Sequence, residues 1–310
     1  MTQAARRTVA VALAGLLAGA GHAWSQEAPA ESAAQGAPEN AAQGAPESTP
    51  GSAPEKPPKP ARPGGGGASL CDAPWFKSGS KVQMEGDGAL PMSITMALHD
   101  AVSSPTGCRA ELEITSKSAM SALMGPPVIM QQVHVVNIDR SPNKELSIES
   151  QHAIINARGK YARMFGEAAF KGTGVFNYAG LTIREGETLP GQTFESSLSL
   201  KIYPLARDEV VGTMETSRAS IIVSSRRVGK RQLIDTAMGK KECLPIAYDK
   251  RTSIGALVVG GDLVKTEPTV MHVIDWYCPE AAFVLRTDVE QDGKVQRIDV
   301  TSMERDTDIP

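Results

Sequence analysis

From about Ser69 onward, apolar and polar residues alternate along the chain with a period of two. No other feature narrows the fold as much, because at this spacing successive side chains of a strand point to opposite faces. Met92, Ile94, Met96 and Leu98 share one face, with Ser93, Thr95 and Ala97 on the other. Cys108, Ala110, Leu112 and Ile114 lie opposite Arg109, Glu111 and Glu113. Leu146 and Ile148, Leu198, Leu200 and Ile202, and Ile298 and Val300 alternate with polar partners in the same way. Further extended runs cover 128–138, 219–224, 271–277 and 282–289. Apolar faces backed by polar ones imply an antiparallel sheet with one solvated side. The expected fold is mainly β: a curved antiparallel sheet, as a partial barrel or a sandwich, with one or two short helices.

Turn residues punctuate these runs. Ser141-Pro142-Asn143-Lys144 and Leu189-Pro190-Gly191 read as turns. Asp292-Gly293 reads as a tight hairpin joining 282–289 to 295–302. Ile154, Ala157, Tyr161, Phe165 and Ala168 fall at helical spacing, although Gly159 and Gly166 weaken a helix there. A second short helix is expected near Ser116–Met124.

The N-terminal quarter is of a different kind. Arg6 and Arg7 precede an apolar stretch from Val9 to Ala20, and small residues then offer cleavage after Ala23 or Ser25. This order is that of a secretory signal peptide, assigned to 1–25. The apolar stretch spans roughly 18 Å as a helix, against ~30 Å for a hydrocarbon core. A lipid anchor would need a cysteine at the cleavage site, and none is there. No later segment is apolar enough to span a membrane after signal cleavage. Residues 26–68 are rich in Ala, Pro, Glu and Gly, with Ala34-Gln35-Gly36-Ala37-Pro38-Glu39 returning as Ala42-Gln43-Gly44-Ala45-Pro46-Glu47. Such a segment buries too little apolar surface to offset chain entropy and is expected to be a disordered tether or a neutral low-complexity insertion. Residues 69–306 are then a periplasmic β-rich domain, long enough for one large unit or two smaller ones.

In an exported chain, the even set Cys71, Cys108, Cys243 and Cys278 reads as two disulfides. Of the three pairings, Cys71–Cys108 with Cys243–Cys278 is favoured, because it closes two loops of similar, modest length. Metal binding would need clustered spacing such as C-x-x-C, which is absent. A net charge of −3 argues against nucleic acid as a partner, and 5% aromatic residues leave few platforms for bases.

Catalytic patterns are sparse. Ser141-Pro142-Asn143-Lys144 has S-x-x-K spacing, but the S-D-N and K-T-G elements of that chemistry are missing. The Gly255–Gly261 stretch has the look of a phosphate loop without its lysine, and a glycine-kinked strand and turn is the simpler reading. His99, His134, His152 and His272 are scattered, with no metal-ligand spacing. Asp288, Glu290 and Asp292 share one strand face or turn, and Glu185 and Glu187 flank Gly186; both sets read as solvated ends rather than a glycosidase pair. No catalytic residue, cofactor or metal is therefore assigned.

Arg226, Arg227, Lys230 and Arg231 form a basic cluster, with Lys240, Lys241, Lys250 and Arg251 following, read either as a patch for anionic lipid or polyanion or as charged hairpin ends that protect a sheet edge. Trp75 and Trp276 stand close to Cys71 and Cys278, as core tryptophans packed beside disulfides do. Met92, Met96, Met130 and Met271 lie on the apolar parity, where they either fill a core or line a pocket for an acyl chain.

The C-terminal third runs Thr236-x-x-Gly239-x-x-x-Cys243, later Trp276-Tyr277-Cys278-Pro279, and closes on Val295-x-x-Ile298-Asp299-Val300-Thr301. It resembles the final strands of uncharacterised exported β-domain families of proteobacteria. What the resemblance implies is a fold similar to periplasmic half-barrel carriers of lipoproteins or lipids, with no site residues to carry over. The functional expectation is a non-enzymatic periplasmic carrier or binding module for an apolar envelope component, with a lipid or an envelope protein as partner. A structural partner of an outer-membrane complex and an unrecognised hydrolase are the alternatives.

Overall fold

A computed structural model describes residues 71, 75–88, 91–118, 127–139, 148–172, 178, 183–253, 255–259, 261–265 and 267–304. Residues 1–25 and 26–68, where the signal peptide and the tether are expected, and residues 119–124 and 141–144 lie outside them.

The strands, in chain order, are β1 (Lys81–Gly88), β2 (Met92–Ser104), β3 (Gly107–Ser118), β4 (Val128–Asp139), β5 (Ile148–Arg158), β6 (Ala162–Gly172), β7 (Thr188–Leu189), β8 (Gln192–Pro204) and β9 (Gly212–Val223). After them come β10 (Arg226–Val228), β11 (Gln232–Thr236), β12 (Gly239–Ser253), β13 (Ala256–Val259), β14 (Asp262–Lys265), β15 (Thr269–Cys278), β16 (Phe283–Gln291) and β17 (Lys294–Glu304).

Twelve of them form a closed antiparallel ring, β1-β2-β3-β4-β5-β6-β8-β9-β12-β15-β16-β17. The ring shuts where β17 pairs with β1, from Lys81 opposite Glu304 to Gly88 opposite Gln296. The expected partial barrel or sandwich is thus corrected to a closed barrel. Alternation fixes which face is buried, but not how many strands join before the sheet meets itself.

The helix expected over Ile154–Ala168 is also corrected; of the one expected near Ser116–Met124, residues 119–124 lie outside the described residues. Ile154–Ala168 forms the β5–β6 hairpin, closed by Gly159 N–H donating to Ala162 O at 2.9 Å. Ala153, Ile155 and Ala157 are buried and Ile154, Asn156 and Arg158 are exposed, a period of two. Ile154 and Phe165, apolar residues on the outer face, create the false helical stripe. Ser116–Ser118 ends β3. The Asp292-Gly293 hairpin is present, with both residues at positive φ (51° and 71°), as a two-residue turn between right-twisted strands demands.

Cross-strand register puts the apolar parity of every ring strand on one common inner face. The outer face carries Arg109, Glu111, Glu113, Glu167, Lys201 and Arg251. A membrane barrel has the opposite polarity, apolar outside and polar within. No helix of the described residues is long and apolar enough to cross a membrane.

Both disulfides form as expected, Cys71–Cys108 and Cys243–Cys278. All four cysteines lie in one apolar cluster with Trp75, Phe76 and Leu285, and Trp75 packs edge-on against Phe283 at 5.8 Å.

Candidate functional site inside the barrel

The inner face is rich in methionine: Met84, Met92, Met96, Met130, Met164, Met214 and Met271 all lie on it. Met92, Met96, Met130 and Met271 are those the alternation already placed there. Met84, Met92 and Met130 remain partly exposed although they face inward. An unbranched, polarizable thioether adapts to irregular apolar shapes, so a methionine lining conforms to different contents.

A polar cluster interrupts this lining at Asp275. The residue shares the inner parity of β15 with Met271 and Val273, opposite Ile246 on β12 and Thr287 on β16. Tyr178, from the segment between β6 and β7, donates its hydroxyl to Asp275 Oδ2 at 2.7 Å. Tyr248 of β12 donates to the same oxygen at 2.9 Å, and Thr287 donates to Oδ1 at 2.8 Å. Burial raises the Asp275 carboxyl above its ordinary range, while the three hydroxyls and the charge of Lys250 oppose the rise. Burial, followed by the nearby carboxylate, pushes both tyrosines well above the usual phenol value, so they stay neutral donors.

Two cations accompany the carboxylate. Arg226 of β10 is only 1% exposed; its guanidinium lies 5.1 Å from the Tyr178 ring centre and donates to Pro190 O at 3.2 Å. Lys250 projects inward from β12 between Val223 of β9 and Met271 of β15, two residues beyond Tyr248. By area its side chain is only half-buried, yet the packing around it is dense enough to bring the ammonium down to about 8, with the Asp275 charge opposing. Among the described residues, Lys250 makes no hydrogen bond or ion pair.

The basic cluster read from the sequence is divided by burial. Arg226 is turned inward, whereas Arg227, Lys230 and Arg231 are exposed. Arg231 lies 3.9 Å from Glu185 and 3.6 Å from Glu242. Of the histidines, His99 pairs with Glu113 at 3.4 Å and His272 with Asp249 at 3.1 Å, both at the surface. His134 is buried beside Gln132 at 3.2 Å, and the side chain of His152 lies outside the described residues. Trp276 donates to Asp288 Oδ2 at 2.8 Å, and Arg286 pairs with the same carboxylate at 2.8 Å. Gly255 and Gly261 carry positive φ at a strand kink and a hairpin turn, which accounts for the stretch that resembled a phosphate loop. Among the described residues, no three His, Cys, Asp or Glu side chains gather to hold a metal ion.

Sequence reasoning missed Asp275 and Tyr248 and read Lys250 as part of a basic patch at the hairpin turns, whereas it lies on the inner parity of β12; a signal was present. Asp275 falls on the parity of Met271 and Val273, and Lys250 on that of Ile246 and Tyr248. A charged residue on an apolar parity is a buried charge in waiting. Nothing local to Tyr178 marks it.

No family model matches the chain. No curated protein matches it. Solved structures with partial likeness include a Bacteroides fragilis protein described as exported and of YmcC-like fold, at 11% identity and TM-score 0.41, covering 74% of this chain and 97% of that one. A Parabacteroides distasonis protein described as a lipoprotein is 14% identical at TM-score 0.40, covering 74% and 96%. A β-barrel-like protein of the domain of unknown function DUF1849 from Brucella abortus is 10% identical at TM-score 0.33, covering 73% and 97%.

Proposed function

We propose that this chain is an exported, non-enzymatic binding or carrier module whose barrel takes up an apolar component of the cell envelope. The observation that carries the reading is the inward methionine lining, part of which stays exposed. A core that served stability alone would favour the better-defined rotamers of Leu, Ile and Val. Residence outside the cytoplasm, in the periplasm, is supported by the signal-like residues 1–25 and by two disulfides that suit an oxidising compartment.

Native mass spectrometry of the domain purified from a periplasm, before and after organic extraction, tests the reading. The expected result is a reproducible adduct of lipid size that extraction removes. A clean apo mass that persists after incubation with envelope lipids would sink it.

A second reading rests on Ile129, Ile154 and Phe165. They are exposed on the outer face of the neighbouring strands β4, β5 and β6. Ile154 and Phe165 are diagonal neighbours there, and such exposed apolar side chains favour a contact with an envelope protein. Chemical cross-linking in the envelope, with Phe165→Ser as the control, separates the two.

A further inference from the structure

Lys250 is the feature that an apolar lining does not explain. Its neighbours across the strands are Val223 and Met271, and Phe194 and Ile221 belong to the same apolar cluster. A charge in such surroundings is costly unless it is paired. The nearby carboxylate does not pair with it: Asp275 Oδ2 accepts from Tyr178 and Tyr248 and Oδ1 from Thr287, and no hydrogen bond or ion pair joins it to Lys250. Asp275 therefore acts on Lys250 through its field, without contact. Lys250 thus stands on the inner face, beside Met271 of the methionine lining, with no partner for its charge among the described residues.

We propose that Lys250 seats the anionic head group, a carboxylate or a phosphate monoester, of a single-chain amphiphile whose tail lies along the methionine lining. This rests on the binding reading above and names its ligand class. The ammonium supplies three donors and a positive charge to an anion that would otherwise not leave water. The adaptable thioethers accept tails of differing length. Tyr248, two residues away on the same face of β12, is already committed to Asp275, so Lys250 is the residue that discriminates between head groups.

The test is calorimetric titration of the full mature chain at pH 7 with three probes of one tail length: laurate, dodecyl phosphate and dodecanol, each below its aggregation concentration. The wild-type protein is expected to bind one or both anions roughly tenfold or more tighter than the alcohol. Whichever anion is favoured identifies the head-group chemistry. Lys250→Met and Lys250→Gln are expected to lose that preference and to keep dodecanol binding, and Lys250→Arg to retain much of it. Two variants guard against one failing to fold, and the wild-type comparison stands without either. Equal affinity of the wild type for anion and alcohol overturns the proposal, as does unchanged laurate and phosphate binding in Lys250→Met. In both cases the binding reading survives. Failure of all three probes to bind the wild type overturns both together.

Discussion

At the scale of single residues, His134 measures what the interior does to charge. Burial lowers its imidazole to about 4, from 6.5. Between those values the unfolded chain holds a proton there that the folded chain does not. Stability that is complete above about pH 6.5 is therefore lost as pH falls toward 4, by up to about 3 kcal/mol. Urea midpoints at pH 7 and pH 4.5 are expected to separate markedly for the wild type and distinctly less for His134→Gln. The same scale explains what the sequence concealed. Asp275 and Lys250 were legible as charges on an apolar parity, but the partners of Asp275 come from β12, β16 and the segment before β7. Nothing near residue 275 states that Tyr178, 97 positions earlier, will reach it.

At the scale of elements, short-range chemistry was the most readable. The Asp292-Gly293 hairpin, most strand positions and both disulfides follow from local pattern or spacing. The β5–β6 hairpin was misread because two outer apolar residues imitate a helical stripe, an ambiguity that only burial resolves. Gly166, taken from the sequence as a weak helix position, has another purpose. A Cβ there would lie 2.0 Å from Ser199 O and 2.8 Å from Leu200 Cα, so β6 approaches β8 too closely for any side chain. A glycine at such a point lets a barrel wall bend sharply. Gly166→Ala is expected to cost at least about 2 kcal/mol, because backbone rather than a flexible side chain must move. Gly212→Ala is the matched control, since its Cβ would meet only Ile202 Cδ1, at 3.7 Å. Its change is expected to stay within about 0.5 kcal/mol, and thermal melts of the two variants side by side check both values.

At the scale of the whole molecule, the outcome depends on closure, which no local pattern encodes. The alternation specified a sheet with one buried face, and a curved sheet and a closed one share that property. Closure has a physical consequence for solubility. A ring of paired strands with charged residues on its outer wall presents no long unpaired edge among the described residues. The purified domain is expected to run as a single species in detergent-free buffer on size-exclusion chromatography, and a requirement for detergent would contradict the outward polarity described above.

The seam of that ring joins its first strand to its last, Lys81 to Glu304. A chain made from its N-terminus onward therefore carries one flank of β1 open until β17 arrives. The barrel is a hoop whose clasp is forged last. Until then its interior is a trough open along one side, so any chain cut short before β17 presents both unpaired rims and the methionine floor to whatever lies nearby.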